Sequence, residues 1–222
     1  MLNKKLVNEI RKIWKIIDFK YYWGCNIDMR YKLIDIIKNL KNKKILDIGG
    51  APGVIDAFIE KNNTVICIDI DRQRLTESKK ITNNTILVIA DWNNLPFKNE
   101  LFDVIILAEV LQLFNRNKVK TIIDSLVTLL SPKGMIILTT INRNHLRYKK
   151  DTKKYSYNEL TTLLEKFNYN IYGWNPFPPF PLFFPNFIVH KIPFIWKILG
   201  FFFERKIKTD KCEFLYIEIY KH

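Results

Sequence analysis

The chain has 222 residues, 48% of them hydrophobic, and a formal net charge of +14. This length predicts a single domain, and this composition excludes disordered and collagen-like chains. The three cysteines are far apart and none has C-x-x-C spacing, so they indicate neither a disulfide framework nor a metal site, and a cytoplasmic, reducing compartment fits them best. The charge has two interpretations, a lysine-rich soluble surface or a surface that meets an anionic partner.

Two stretches were candidates for targeting or membrane segments. Apolar residues recur at helical spacing between charges in residues 6–17, which predicts an amphipathic helix within an N-terminal helical region, residues 1–40. Residues 187–203 are the most apolar stretch, but charged residues and a proline interrupt them. The sequence therefore predicts no transmembrane segment.

Further along, short apolar runs alternate with longer segments of helical periodicity. Strands are predicted at 44–48, 64–70, 85–90, 103–108, 135–140, 170–174 and 214–220, and helices at 29–40, 52–61, 72–80, 116–130 and 156–167. This alternation predicts an α/β, doubly wound, mostly parallel seven-stranded sheet with helices on both faces. The spacing does not give the strand order. Ligands of such sheets bind at the carboxyl ends of the strands.

A glycine-rich turn follows the first predicted strand, in the order Asp47-Ile48-Gly49-Gly50-Ala51-Pro52-Gly53. The dinucleotide pattern G-x-G-x-x-G fails from either starting glycine, because the sequence has other residues where that pattern needs glycines. Asp47 is a poor neighbour for a pyrophosphate and a good one for a cation. The turn therefore indicates a ligand other than a dinucleotide.

At this turn the sequence resembles the class I S-adenosylmethionine-dependent methyltransferases, in particular their small-molecule, type 11-like branch. Their motif D-x-G-x-G-x-G corresponds to Asp47, Gly49, Ala51 and Gly53, with Ala51 where a glycine is usual. The resemblance implies a Rossmann-like fold with S-adenosyl-L-methionine as cofactor. The turn, including Gly50, would meet the methionine part, and Asp47 would hold its amino group.

The resemblance continues in chain order. Asp69 and Ile70 correspond to the end of the family's second strand, whose acid accepts hydrogen bonds from the ribose hydroxyls. Asp71 is a nearby alternative, although it stands where the family has a helix cap. Asp91 and Trp92 correspond to the third motif, in which the carboxylate accepts from the adenine amino group and its neighbour packs on the ring.

Ala108 opens the segment that follows the fourth predicted strand. Residues 108–113 match the family there, except that Leu113 replaces the usual histidine. The match covers residues 44–140, which we predict to be the cofactor-binding core. Methyltransferases that act on the amino groups of bases often have an N/D-P-P-Y/F turn after the fourth strand. This turn is missing here, which argues against that class of acceptor.

Methyl transfer needs chiefly an acceptor held in line with the sulfonium methyl, so positioning supplies much of the rate. A general base is needed only where the acceptor loses a proton early. His145, after the fifth predicted strand, is the candidate base, with a surface-loop histidine as the alternative. Other candidates for orienting a substrate are His190, Tyr148, Tyr155 and Tyr157, whereas His222 is terminal.

Residues 141–222 are predicted to form the acceptor side. Six of nine prolines and nine of sixteen phenylalanines lie between residues 176 and 203, and no acid occurs from 166 to 203. A basic loop, residues 143–154, precedes this segment. Apolar surface beside cations predicts a small or lipid-like acceptor and peripheral contact with an anionic membrane. The alternative for segment 175–203 is an extension of the core.

Two further functions stay open. An RNA or protein methyltransferase would use the basic loop as its partner surface, although nucleic acid is the less favoured partner. A non-catalytic relative would keep the cofactor fold and act as a binding subunit.

Overall fold

The computed structural model describes residues 27–145, 152–174 and 209–221, together with Glu9, Lys12 and Ile13. Most of the predicted N-terminal helix and the whole of segment 175–203 lie outside the described residues, as do Tyr148, His190 and His222. Among the residues that are described, no helix is long and apolar enough to cross a membrane.

The elements follow the predicted alternation of strands and helices. In chain order they are α1 (Ile27–Ile37), β1 (Lys44–Ile48), α2 (Asp56–Ile59), β2 (Thr64–Asp69), α3 (Arg72–Ser78), β3 (Ile86–Ile89), β4 (Phe102–Ala108), α4 (Val119–Leu129), β5 (Leu130–Ile141), α5 (Tyr157–Leu164), β6 (Asn168–Trp174) and β7 (Phe214–Tyr220). The helix predicted at 52–61 is reduced to α2, because residues 51–55 form turns. The fifth strand is longer than predicted and begins at Leu130.

The strands of the described residues form one sheet in the order β3-β2-β1-β4-β5-β7-β6, with β7 antiparallel to both of its neighbours. The predicted seven-stranded, mostly parallel sheet is therefore confirmed. The chain runs outward from β1 to β3 and then returns to β4 on the other side of β1. The carboxyl ends of β1 and β4 consequently mark the switch point, where open α/β sheets bind their ligands.

The two faces of the sheet are covered by different helices. Side chains of α4 and α5 pack with Leu46 and Ile48 of β1, whereas side chains of α1 and α2 pack with Ile45. Successive residues of a strand point to opposite faces. Asp47 therefore lies on the same face as Ile45, toward α1 and α2.

Side chains cap the starts of two helices. Ser156 and Glu159 form a capping box at the start of α5. Asp71 is the N-cap of α3, where its carboxylate accepts from the backbone N–H groups of Gln73 and Arg74. Asp71 thus has the capping role that the family comparison assigned to its position.

Glu60 fixes the loop that leads into β3. Its carboxylate accepts hydrogen bonds from the backbone N–H groups of Asn83, Asn84 and Thr85 and from the Thr85 hydroxyl, at 2.7 to 3.2 Å. Burial by itself would raise the pKa of Glu60, but these hydrogen bonds outweigh it and hold the pKa below the usual value. The loop and the strand after it are thereby tied to the end of α2.

We expect Glu60→Gln to lower the free energy of unfolding at pH 7 by about 2 kcal/mol, because the hydrogen bonds lose a charged acceptor. A carboxyl group with a lowered pKa stabilises the fold above its unfolded pKa and loses that contribution as the pH falls. The difference from wild type should therefore shrink in urea titrations toward pH 4. Glu77→Gln, which removes only an exposed pair with Lys80, should change stability by less than about 0.5 kcal/mol. Equal effects of the two variants at pH 7 would contradict this prediction.

Candidate cofactor site

The turn after β1 needs glycine at two positions for different reasons. A Cβ at Gly50 would lie 2.5 Å from the carboxyl carbon of Asp47, so no side chain fits between the turn and that acid. Gly53 has φ +76°, in the left-handed region, and a Cβ there would lie 2.9 Å from Thr82 Cγ2. The backbone of the turn therefore lies too close to Asp47 and Thr82 for a side chain at Gly50 or Gly53.

Ala51 departs from the family pattern but is accommodated. The residue is fully buried and packs with Cys67 of β2 and Leu75 of α3. The backbone N–H of Gly49 donates to Ile68 O at 2.8 Å, which ties the turn to the end of β2. The extra methyl group of Ala51 is thus part of the packing between the turn and α3.

Asp47 is completely buried and faces a second buried acid, Asp56 of α2. Within the described residues, no backbone N–H or basic side chain donates to either carboxyl group. Burial raises the pKa of Asp47 well above its usual value, and the charge of Asp56 raises it further. Burial also raises the pKa of Asp56, to about 6, against the effect of hydrogen bonds with the Cys67 thiol and Asp47. The two raised pKa values favour one proton shared between the carboxyl groups of Asp47 and Asp56.

Asp69 ends β2 and keeps one oxygen for a ligand. Its Oδ1 accepts from the backbone N–H of Asp71 at 3.0 Å. Its Oδ2 is buried without a hydrogen-bond partner among the described residues, and Arg74 Nη1 lies 3.6 Å away. Arg74 also donates to the carbonyl oxygen of Ala51, so this arginine bridges β2 and the glycine turn.

Apolar side chains are exposed beside these acids. Ile70 is 62% exposed and Ile89 57%, at the carboxyl ends of neighbouring parallel strands. Asp91 follows β3, is exposed, and accepts hydrogen bonds from the backbone and side chain of Asn93. Trp92 is half-buried, with its ring centroid 4.9 Å from that of Phe114. The arrangement offers an apolar surface with a carboxylate at its edge, which suits an aromatic base.

The sequence around this turn matches a model of a known protein family. Residues 45–134 match the family model described as a methyltransferase domain. This part of the chain is a methyltransferase domain. No curated protein sequence is significantly similar to the chain.

Solved structures share the fold of the methyltransferase domain. One is the plantazolicin methyltransferase BamL in complex with a triazolic desmethylPZN analog and SAH, with 18% identity, TM-score 0.64, and coverage of 95% of this chain and 90% of that one. A methyltransferase from Mesorhizobium loti has 13% identity and TM-score 0.62, with coverage of 89% and 100%. The N-methyltransferase NodS from Bradyrhizobium japonicum has 16% identity and TM-score 0.58, with coverage of 87% and 94%.

These comparisons confirm the predicted fold class and the predicted class of enzyme, an S-adenosylmethionine-dependent methyltransferase. SAH is bound in the BamL structure. The structure brings Asp47, Asp69 and the glycine turn together at the switch point of the methyltransferase domain. Ala108 ends the neighbouring strand β4 and is nearly buried.

Two charged residues near this point were missed by the sequence analysis. Glu109 follows Ala108 with φ +60°, and its backbone N–H donates to Thr139 O at 3.0 Å. Arg30 Nε of α1 lies 3.8 Å from Glu109 Oε2, and both side chains are less than 10% exposed. The signal for Arg30 was a basic residue on the apolar stripe formed by Leu33, Ile34 and Ile37.

Asp56 was also missed, although it is the one acid between Val54 and Ile59 in an otherwise apolar run. An acid at such a place is buried with the rest of the run. The sequence signal was therefore present, but the partner that Asp56 faces follows only from the fold.

His145, the candidate base, lies in a turn that is fixed to the segment before β7. Buried Asn142 donates from Nδ2 to the carbonyl oxygens of Asp210 and Cys212, at 3.0 and 2.9 Å. Its Oδ1 accepts from the backbone N–H of Asn144 at 3.0 Å. His145 itself is half-buried beyond the carboxyl end of β5. Of the other candidates, Tyr155 is buried under the guanidinium of Arg116 and Tyr157 packs against the core, so both have structural contacts.

We expect Asp56→Asn to stabilise the protein at pH 8 by up to about 3 kcal/mol, because the buried acid is replaced by a neutral donor to Asp47. A carboxyl group with a raised pKa stabilises the fold fully below its unfolded pKa and loses that contribution as the pH rises through its folded pKa, about 6 for Asp56. The gain should therefore be small at pH 5.

Urea denaturation at pH 5 and pH 8 measures this difference. Asp124→Asn, on the surface beside Lys166, is the control and should have the same small effect at both pH values. A gain from Asp56→Asn that does not depend on pH would contradict the shared proton.

Proposed function

We propose that the chain transfers the methyl group of S-adenosylmethionine to an O, N or C atom of a small or lipid-like acceptor. One observation supports a cofactor site at the glycine turn. Two buried carboxyl groups, Asp47 and Asp69, flank a turn that has no room for a side chain at Gly50, and each has an oxygen without a hydrogen-bond donor among the described residues. Buried polar atoms of this kind are commonly satisfied by a ligand.

The residues fit the parts of the cofactor by their chemistry. Asp47 would accept from the ammonium group and Asp69 Oδ2 from a ribose hydroxyl. Ile70 and Ile89 would pack against the adenine ring, with Asp91 near its amino group. The glycine turn would lie against the methionine part.

The bound cofactor supplies an electrophilic methyl group on a sulfonium. The chain's residues then have three tasks: they orient the acceptor, exclude water, and take a proton where the acceptor loses one. His145 is the candidate for the proton, because the Asn142 turn fixes its position beyond β5. Where the acceptor needs no deprotonation, positioning alone carries the reaction.

The related structures support a small acceptor. The BamL complex contains an analogue of desmethylPZN, and NodS is an N-methyltransferase. The alignments cover 90% and 94% of those two chains. We therefore favour a small acceptor over RNA or protein.

Part of the charge in the basic loop is used inside the protein. Arg143 Nη2 and Arg116 Nη2 lie 2.8 and 2.6 Å from the same oxygen of Glu159. Because Glu159 offsets part of its charge, Arg143 contributes less than a full positive charge to the electric field outside the protein. The proposal of membrane contact rests on the basic composition of loop 143–154 and on the aromatic segment 175–203.

For the cofactor site, we expect Asp69→Ala to weaken binding of S-adenosylhomocysteine by about 10- to 100-fold, since hydrogen bonds to a charged acceptor contribute roughly 1.5 to 3 kcal/mol. Asp71→Ala is the matched control, two residues further on. It should cost about 1 kcal/mol of stability through the lost helix cap and leave the affinity nearly unchanged. Isothermal titration calorimetry measures the affinities, and thermal unfolding measures the stability. A larger loss of affinity in Asp71→Ala would assign the ribose to Asp71.

For membrane contact, we expect the protein to sediment with anionic vesicles at low salt and to dissociate as the ionic strength rises. Lys149→Gln combined with Lys150→Gln should weaken this binding by about tenfold or more. Lys43→Gln combined with Lys61→Gln, just before β1 and β2, is the control. Equal binding to neutral and anionic vesicles would remove the electrostatic part, and binding to neither would remove membrane contact. Salt-sensitive binding of RNA instead would favour the RNA methyltransferase.

A further inference from the structure

Asp56 of α2 is an acid enclosed in the apolar core. Its side chain is completely buried, and so are its neighbours Val54, Ile55 and Ile59. An ionised carboxylate in such a place is costly unless donors or cations surround it. The groups around Asp56 therefore decide which charge it carries.

Asp56 and Asp47 form a pair of buried acids. Their four carboxyl oxygens receive no hydrogen bond from a backbone N–H or a basic side chain in the part of the chain that the structure describes. Two carboxylates side by side in a dry space repel each other, whereas one proton between them turns the repulsion into a hydrogen bond. The Cys67 thiol donates to Asp56 and favours its ionised form, so the shared proton lies mainly on Asp47.

The charges around the pair also favour a proton in it. Among the described residues, the titratable and charged groups near the pair are Arg30 of α1, Glu60 of α2, Cys67 and Asp69 of β2, Arg74 of α3 and Glu109 after β4. The charge of Asp69 raises the pKa of Asp47, and that of Glu60 raises the pKa of Asp56. Arg30 opposes the rise at Asp47, but less strongly than Asp56 causes it.

A cation beside Asp47 would reverse this preference, because it stabilises the ionised carboxylate. The proposed function places the ammonium group of the cofactor there, and the present inference rests on that assignment. We propose that Asp56 is a positioning residue that holds one proton with Asp47 in the absence of the cofactor and that this proton leaves when the ammonium group binds. The O–H bond of the pair breaks and the proton goes to a base in the solvent. One positive charge accompanies the two carboxyl groups in both states.

The sign of the pH dependence follows from this exchange. Protons compete with the ammonium group, so the affinity should rise with pH. In isothermal titration calorimetry, the dissociation constant of S-adenosylhomocysteine should fall by up to about tenfold per pH unit between about pH 5.5 and 7.5. 5′-Methylthioadenosine has the same adenosine and a thioether but no ammonium group, so its affinity should change by less than about threefold over this range.

Titrations at pH 7 in phosphate and in Tris count the protons, because these buffers differ in their enthalpy of ionisation. S-adenosylhomocysteine should release roughly one proton on binding, and 5′-methylthioadenosine essentially none.

Asp56→Asn tests whether the second acid holds the proton. This variant loses a negative charge beside Asp47 and gains an amide donor, and both changes lower the pKa of Asp47. The pH profile of S-adenosylhomocysteine affinity should therefore move to lower pH by about one unit or more, with fewer protons released at pH 7. Asp124→Asn, on the surface beside Lys166, is the matched control and should keep the wild-type profile.

Three results would each overturn the proposal: binding of S-adenosylhomocysteine without proton release, an equal release with 5′-methylthioadenosine, or a wild-type profile in Asp56→Asn. A wild type that binds neither ligand would instead contradict the proposed cofactor site.

Discussion

The buried carboxyl group of Asp47 is the constraint on which the rest of the site depends. The alternation of β1 directs it toward α1 and α2, into a space closed to water. A carboxyl group there needs either a proton or a cation. Asp56 lies close enough to share a proton with this carboxyl group, and Arg30 supplies positive charge. Gly50 leaves room for the carboxyl group beside the turn.

The strand order explains why the other polar groups meet at the same place. β2 and β4 lie on either side of β1, so the residues that end these strands flank the glycine turn. Asp69 comes from one side and Glu109 from the other. The left-handed backbone at Glu109 is costly for a residue with a side chain. Its hydrogen bond to Thr139 on the next strand holds that conformation, and the conformation places the carboxylate beside Arg30.

Much of this site follows from the sequence, because it depends on local patterns. Asp47 and Asp69 are acids at the ends of apolar runs, and parallel strands bring such ends to one edge. The helix start was less well predicted, because the turns around Gly53 delay α2 to Asp56. The strand order was not predicted, since periodicity carries no information about which strands are neighbours.

The residues that sequence reasoning missed depend on contacts between distant parts of the chain. Arg30 and Glu109 belong to α1 and to the turn after β4, and neither position signals the other. In the acceptor half, composition likewise does not show which charged residues pair with each other. Composition showed a basic loop beside an aromatic segment, but it did not show that Glu159 draws Arg116 and Arg143 together. A charge count along a loop therefore overstates the field that a partner meets.

The charge balance at the site is opposite to that of the whole protein. The chain carries +14, yet in the part that the structure describes four acids (Asp47, Asp56, Asp69 and Glu109) lie around the switch point with two basic neighbours, Arg30 and Arg74. One shared proton between Asp47 and Asp56 reduces this excess but does not reverse it. A local negative field stabilises a cationic sulfonium more than the neutral thioether that remains after methyl transfer. Buried acids in excess at the switch point therefore favour a cationic ligand over a neutral one of the same shape.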